Sequence, residues 1–207
     1  MWRKARIIAI STALLAGVLG ATAVFSEDAQ PPRVRGSLDQ VSGNTLTIKE
    51  RNGAPTTVQL KDGAPVIAAV KGSMSDIQDN SFVGITAMAQ PDGTIKAVEV
   101  HVFAEPLRGT AEGHYPWDLM PNSTMTNAAV TQQVKKADAN TLTLKYKDGE
   151  KTIVVPSDAV VVNLIPGEPA DLKPGVKIFI PRWEKKADGT WEATVALVGR
   201  EGITPPM

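Results

Sequence analysis

The residues best suited to chemistry cluster in one stretch, Glu105 to Asn127. It holds His114, Tyr115, Trp117, Asp118, Leu119, Met120 and Met125. An imidazole and two thioethers, from His114, Met120 and Met125, form a donor set that suits copper in an oxidising compartment, and Asp118 could add a carboxylate. The spacing matches no specific metal motif. Tyr115, Trp117, Leu119 and Met120 would be costly to leave in water, and a plain spacer would be richer in Gly, Ser or Pro. The stretch is therefore expected to be an ordered linker, with His114, Tyr115, Trp117 and Asp118 as the candidate ligand-binding set. In the blander alternative it is a clasp: Trp117 and Leu119 plug a barrel mouth, and His114 only makes hydrogen bonds.

Other chemistry is thinner. The chain has no cysteine, which excludes thiol catalysis and thiolate metal sites. Ser, His and Asp are all present, but no nucleophile elbow or other local signature joins them, so no catalytic residue is assigned and the chain is expected not to be an enzyme. His101 lies between Val100 and Val102, so in a strand its side chain points away from theirs and is expected in solvent. Lys135, Lys136, Lys145, Lys147 and Lys151 form a basic cluster, read as a solvated or edge-protecting face. Trp183 and Trp191 flank Asp188-Gly189 and are expected to pair across a hairpin.

The elements that must position these groups are strands, and they occur twice. Asn44-Thr45-Leu46-Thr47 returns as Asn140-Thr141-Leu142-Thr143, Gly53 as Gly149, and Asp92-Gly93-Thr94 as Asp188-Gly189-Thr190, each 96 residues on. A repeat of this period indicates one supersecondary module used twice. Alternation in Thr45–Lys49 marks a strand with one buried face, and Asn52-Gly53, Asp62-Gly63, Asp148-Gly149 and Asp188-Gly189 supply turns. The first repeat reads as strands at Val34–Val41, Thr45–Lys49, Thr56–Leu60, Val66–Val70, Phe82–Ala89 and Ile95–Phe103. The second reads as Val130–Lys135, Thr141–Tyr146, Lys151–Val155, Val160–Ile165, Val176–Trp183 and Thr190–Val198. Ser73, with Asp76 three residues later, can cap a short helical turn, and Asp171-Leu172 takes the matching place. A short helical piece before the fourth main strand, then a last hairpin, fits the OB arrangement, a five-stranded Greek-key barrel. An SH3-like barrel or a small sandwich gives nearly the same string. The expected fold is thus all-β: two tandem small OB-like barrels at 33–103 and 130–200, an ordered linker at 104–129, and a tail at 201–207.

Arg3, Lys4 and Arg6 precede an uncharged, mostly apolar run from Ile7 to Phe25 that ends in small residues. This is the pattern of a secretory signal peptide, residues 1–26; the alternative is an uncleaved inner-membrane anchor. Removing these residues leaves 19 basic and 22 acidic side chains, a net charge of −3. That balance gives no basic face for nucleic acid. Aromatics are 5% of the chain, so the cores must be built mainly from Val, Ile, Leu and Ala.

Val34-Arg35-Gly36, Gln90-Pro91-Asp92-Gly93, Gly113-His114 with Pro116-Trp117-Asp118-Leu119, Ser123 to Asn127 and Leu142 to Glu150 resemble an exported bacterial family of unknown function with repeated small β-barrel domains. Some of its relatives carry a metal-transporter permease label, which a chain with one apolar segment cannot satisfy. The resemblance implies the fold and export, and no activity. The expectation is a periplasmic, non-enzymatic protein that binds an envelope protein or a small ligand at the barrel–linker interface, touching the membrane only if residues 1–26 are retained. The alternative is a copper-handling protein using His114, Met120 and Met125, with copper the only cofactor considered.

Overall fold

The computed structural model describes residues 31–135 and 139–205. The expected signal peptide and Lys136 lie outside the described residues. Fifteen strands and three single turns of 3-10 helix make up the described chain. The strands are β1 (Val34–Ser42), β2 (Thr45–Glu50), β3 (Pro55–Gln59), β4 (Val66–Lys71), β5 (Phe82–Ala89), β6 (Ile95–Phe103), β7 (Gly113–Pro116), β8 (Thr124–Lys135), β9 (Ala139–Tyr146), β10 (Gly149–Pro156), β11 (Val160–Pro166), β12 (Lys177–Ile180), β13 (Trp183–Lys185), β14 (Trp191–Ala193) and β15 (Ala196–Gly199). No helix among the described residues is long and apolar enough to cross a membrane.

The expected strand positions hold to within a residue or two, with two differences. β8 begins at Thr124 rather than Val130, and with β7 at Gly113–Pro116 it makes part of the expected linker strand. The last two strands of the second repeat are each interrupted: Pro181, which has no N–H to give a ladder, separates β12 from β13, and Thr194-Val195 separates β14 from β15. Both expected helical turns form, at Met74–Asp76 and Pro169–Asp171. Each is held alike: the Ser73 backbone N–H donates to Asp76 and that of Glu168 to Asp171, both at 2.8 Å.

Residues 34–103 and 124–199 run through a similar order of elements, strands, a 3-10 turn and further strands, while strand pairing runs between the two stretches. β8, β9 and β10 form a meander. The β5–β6 hairpin of the first repeat completes it, with β5 antiparallel to β8 and β6 parallel to β10. Those five strands close a barrel. On the other side β1, β2 and β3 form the meander. β12 of the second repeat pairs antiparallel with β1 and with β15, and Leu60, just past β3, bridges in parallel to Ala193 of β14. β4 and β11 pair antiparallel between the two sets; β4 also pairs in parallel with β15, and β11 with β6.

Side-chain alternation sorts these strands into three cores. Val83, Ile85 and Ala87 of β5 point into the closed barrel with Leu142, Leu144, Ile153 and Val155. Val34, Leu46, Ile48, Val58, Ile178 and Val198 form the core of the second set. The intervening residues on the shared strands, Ile67, Ala69, Phe82, Phe103, Val162, Leu164, Phe179 and Leu197, form a third core. Val66 to Val70 is apolar at every position because both faces of β4 are covered. The alternation of buried and exposed positions seen in β2 is absent there for the same reason.

Leu144 is fully buried in the closed barrel. Leu144→Ala is expected to cost about 2–5 kcal/mol, read by urea unfolding. Because strands of both repeats wall that barrel, the loss should appear as one shifted cooperative transition; loss confined to a separate early transition would contradict the shared architecture.

Candidate functional site

The 104–127 segment, which has no counterpart in the repeat, crosses the third core. A 3-10 turn at Glu105–Leu107 starts it, and Arg108 anchors that turn by donating to Glu105 at 2.6 Å and to the Asn80 carbonyl at 2.8 Å. β7 then pairs with β8, with Gly113 opposite Asn127, His114 opposite Thr126 and Tyr115 opposite Met125. The loop between them is pinned by the Trp117 N–H donating to the Ser123 carbonyl, and by the Ser123 hydroxyl, which donates to the Met120 carbonyl at 2.8 Å. Leu107, Tyr115 and Trp117 pack down on the third core. The segment is an ordered strap.

Between strap and sheet lies a cavity of about 400 Å³. Its floor is Ile67, Phe103, Leu164 and Leu197, one residue from each of β4, β6, β11 and β15. Leu107, Tyr115, Trp117, Met125 and Asn127 wall one side, and Pro181, Arg182, Thr194 and Val195 the other, with Arg33 also on the lining. This size and apolar lining, with a few polar groups, suits a small-molecule site. Two lining residues carry a buried polar atom without a hydrogen-bond partner, Trp117 Nε1 and Thr194 Oγ1, whereas the Asn127 Oδ1 lies beside His101. Such groups cost roughly 1–3 kcal/mol each, so a ligand that met them would recover free energy.

The electrostatics of the rim are cationic. The Arg33 guanidinium lies 4.1 Å from the centre of the Trp117 ring, and that of Arg35 lies 4.5 Å from the Phe179 ring. Asp118 bridges both cations, 2.7 Å from Arg35 and 3.4 Å from Arg33. Burial raises the Asp118 pKa, but the Arg35 hydrogen bond and the two positive charges outweigh it and leave the carboxyl below its ordinary value. Burial raises the Tyr115 pKa, opposed by the nearby charges of Arg33 and Arg182.

The structure therefore brings Tyr115 and Trp117 together on the cavity and sets Asp118 beside it as the strap's ionic tie. His114 faces away. Adjacent residues of a strand alternate sides, and its Nδ1 meets the Thr126 hydroxyl at 2.8 Å while the ring stacks on Tyr146. Burial, then the Lys151 charge, lower its pKa. The copper set is not assembled. Met125 is buried on the Tyr115 side of the ribbon, whereas Met120 is exposed in the strap loop. Among the described residues no three His, Asp or Glu side chains cluster in a way that could hold a metal ion. Trp183 and Trp191 also miss one another: Trp183 sits opposite Ala193, and Trp191 opposite Lys185, whose ammonium lies 5.9 Å from the indole.

Sequence reasoning missed His101. It does point away from Val100 and Val102, yet it is fully buried, because the outer face of β6 is covered rather than wet. It lies edge-on to Phe103, with ring centres 4.9 Å apart. Gly84, opposite it on β5, provides the room: a Cβ there would lie 1.8 Å from His101 Nε2 and 2.4 Å from Asn127 Oδ1. Neither ring nitrogen makes a well-formed hydrogen bond. Desolvation lowers the His101 pKa to about 3, although Asn127 nearby favours the charged form. The cavity residues missed with it, Arg33, Arg182, Thr194 and the four floor residues, are scattered along the chain and share no motif.

Comparison with known protein families, with curated proteins and with solved structures returns no match.

A histidine held neutral below its unfolded pKa gives stability that is complete above about pH 6.5 and is lost as pH falls toward 3. The slope is about 1.4 kcal/mol per pH unit for one proton. His101→Leu places there the residue type of Leu197, the matching position of the second repeat. It is expected to flatten the fall in urea-unfolding free energy between pH 6 and 4.5, where the lowered carboxylates remain ionised. An unchanged slope would show that His101 does not titrate this way.

Proposed function

We propose that this chain is a periplasmic, non-enzymatic binding protein that holds a small envelope ligand between its strap and its central strands. The observation that carries the reading is the placement of the cavity. It lies where the 104–127 strap crosses an apolar face built from strands of both halves. A scaffold needs neither the strap's aromatic content nor a void beneath it, since close packing is the norm for protein interiors. Export is supported by the positively charged, then apolar, then small-residue order of residues 1–26.

We also read both five-strand sets as OB-like barrels whose final hairpins are exchanged between the repeats. In support, the order β8-β9-β10-β6-β5, with β10 in parallel contact with β6, matches the partly open Greek-key arrangement. The set β1-β2-β3 with β14–β15 and β12 follows the same order.

The test uses 1-naphthaleneethanol, a flat neutral probe small enough for the cavity. Titrated into the protein and followed by NMR, it should bind saturably at one site and shift the Trp117 indole N–H. Val195→Trp, which fills the cavity from a partly exposed wall position, should lower its affinity at least tenfold while leaving the spectrum folded. Equal binding to both proteins would sink the reading.

A further inference from the structure

We infer that the ligand of this cavity is an organic anion: a flat or short-chain apolar body ending in a carboxylate or a similar acid. This rests on the binding reading above and adds the chemistry of the occupant. Two independent features of the lining support it.

The first is shape and polarity. The floor from Ile67, Phe103, Leu164 and Leu197 is wholly apolar, so the deep end of a ligand must be hydrocarbon or aromatic. A buried ligand charge there would meet no compensating group and would be expelled. Any charge must therefore sit at the rim.

The second is the charge of the rim. The lining contains Arg33 and Arg182 and no aspartate or glutamate. Arg33 is already committed: it stacks on Trp117 and reaches Asp118. Arg182 is exposed and, among the described residues, meets no carboxylate. Both line the same cavity as Tyr115, and their charges oppose the rise in its pKa. A guanidinium presents a planar fork of donors that matches a carboxylate in two parallel hydrogen bonds. The rim thus offers one cation that holds the strap and one that is free to take a ligand's acid. Trp117, fixed between Arg33 and Phe179 at a ring separation of 6.3 Å from the latter, supplies a flat wall for an aromatic or planar body.

A competing basic cleft makes a useful control. Arg35, Lys49, Arg51 and Lys177, with Glu50 among them, line a second cleft that meets the strap at Arg35 and Phe179. It would attract anions only by exposed charge and has no comparable apolar floor.

The experiment compares 1-naphthaleneacetate with 1-naphthaleneethanol, which differ in the acid group, by calorimetry on the 31–207 protein at moderate salt. The acetate is expected to bind about tenfold tighter, the scale of one charge-assisted hydrogen-bonded pair. Arg182→Gln should abolish that preference. Arg51→Gln, which removes the same charge from the second cleft, should leave the preference intact. Equal affinities for the two probes, or a preference that survives Arg182→Gln or falls equally in Arg51→Gln, would overturn the anion assignment while leaving the pocket reading standing. Failure of both probes to bind the unaltered protein would overturn both.

Discussion

The antiparallel pairing of β4 with β11 is the constraint on which the rest of this structure depends. Leu164 lies opposite Ala69 and Ile165 opposite Ala68 at the point where the two repeats meet. With those strands side by side, each repeat's next strands continue past its own three-stranded meander and reach the other's. β6 then runs parallel to β11 and closes against β10, and β15 runs parallel to β4. Unpaired strand edges are a liability that proteins remove by pairing or closure. Here each meander is completed by a hairpin from the opposite repeat. The apolar stretches Val66–Val70 and Val161–Val162 are needed because these middle strands face a core on both sides.

The same arrangement explains where symmetry ends. Matching strands pair in matching registers, so Gly84 opposite Asn127 in one half corresponds to Phe179 opposite Arg35 in the other. The backbone is alike and the filling differs. Phe179 fills its position with a ring that receives the Arg35 guanidinium and the edge of Trp117. Gly84 vacates its position for the imidazole of His101. A strap with no counterpart lies across both, so it meets an aromatic surface on one side and a buried polar group on the other. Asn127, whose amide donates to the Thr110 carbonyl at 3.1 Å, joins the strap to the polar side. The Asp118 pair with Arg35 and Arg33 joins it to the aromatic side. Surface ion pairs contribute little alone, but this one is combined with stacking of both cations on aromatic rings, which adds roughly 0.5–2 kcal/mol per contact.

Much of the fold was legible locally. Period-two alternation in Thr45–Lys49, Asx-Gly turns and the Ser73–Asp76 pair encode local geometry, and those elements form where expected. The partner of each strand was not legible, because hydrogen bonding between strands carries no sequence label and an exchanged hairpin uses the same residues as a local one. One signal did point to it: Val98 to Phe103 and Val66 to Val70 do not alternate, which marks strands buried on both faces. Reading His101 as wet ignored that signal. In the candidate site, the strap's order and the roles of Tyr115 and Trp117 followed from the cost of exposing aromatics. His114 and Met125 were grouped by proximity in sequence, whereas their positions in the β7–β8 register put them on opposite faces. Arg182 and Thr194 could not be found from sequence, since only folding brings them to Arg33 and Trp117.

The central claim is that the repeats fold through one another's hairpins, and the strap's cavity exists only on that shared surface. Its most direct test is to produce residues 31–103 and 104–205 as separate chains and record their proton–nitrogen NMR spectra alone and mixed. Each fragment alone should give the narrow dispersion of an unfolded chain, because its last hairpin lacks the meander it completes, and mixing should restore the dispersed spectrum of the intact protein. A dispersed spectrum and cooperative unfolding from residues 31–103 alone would contradict the account.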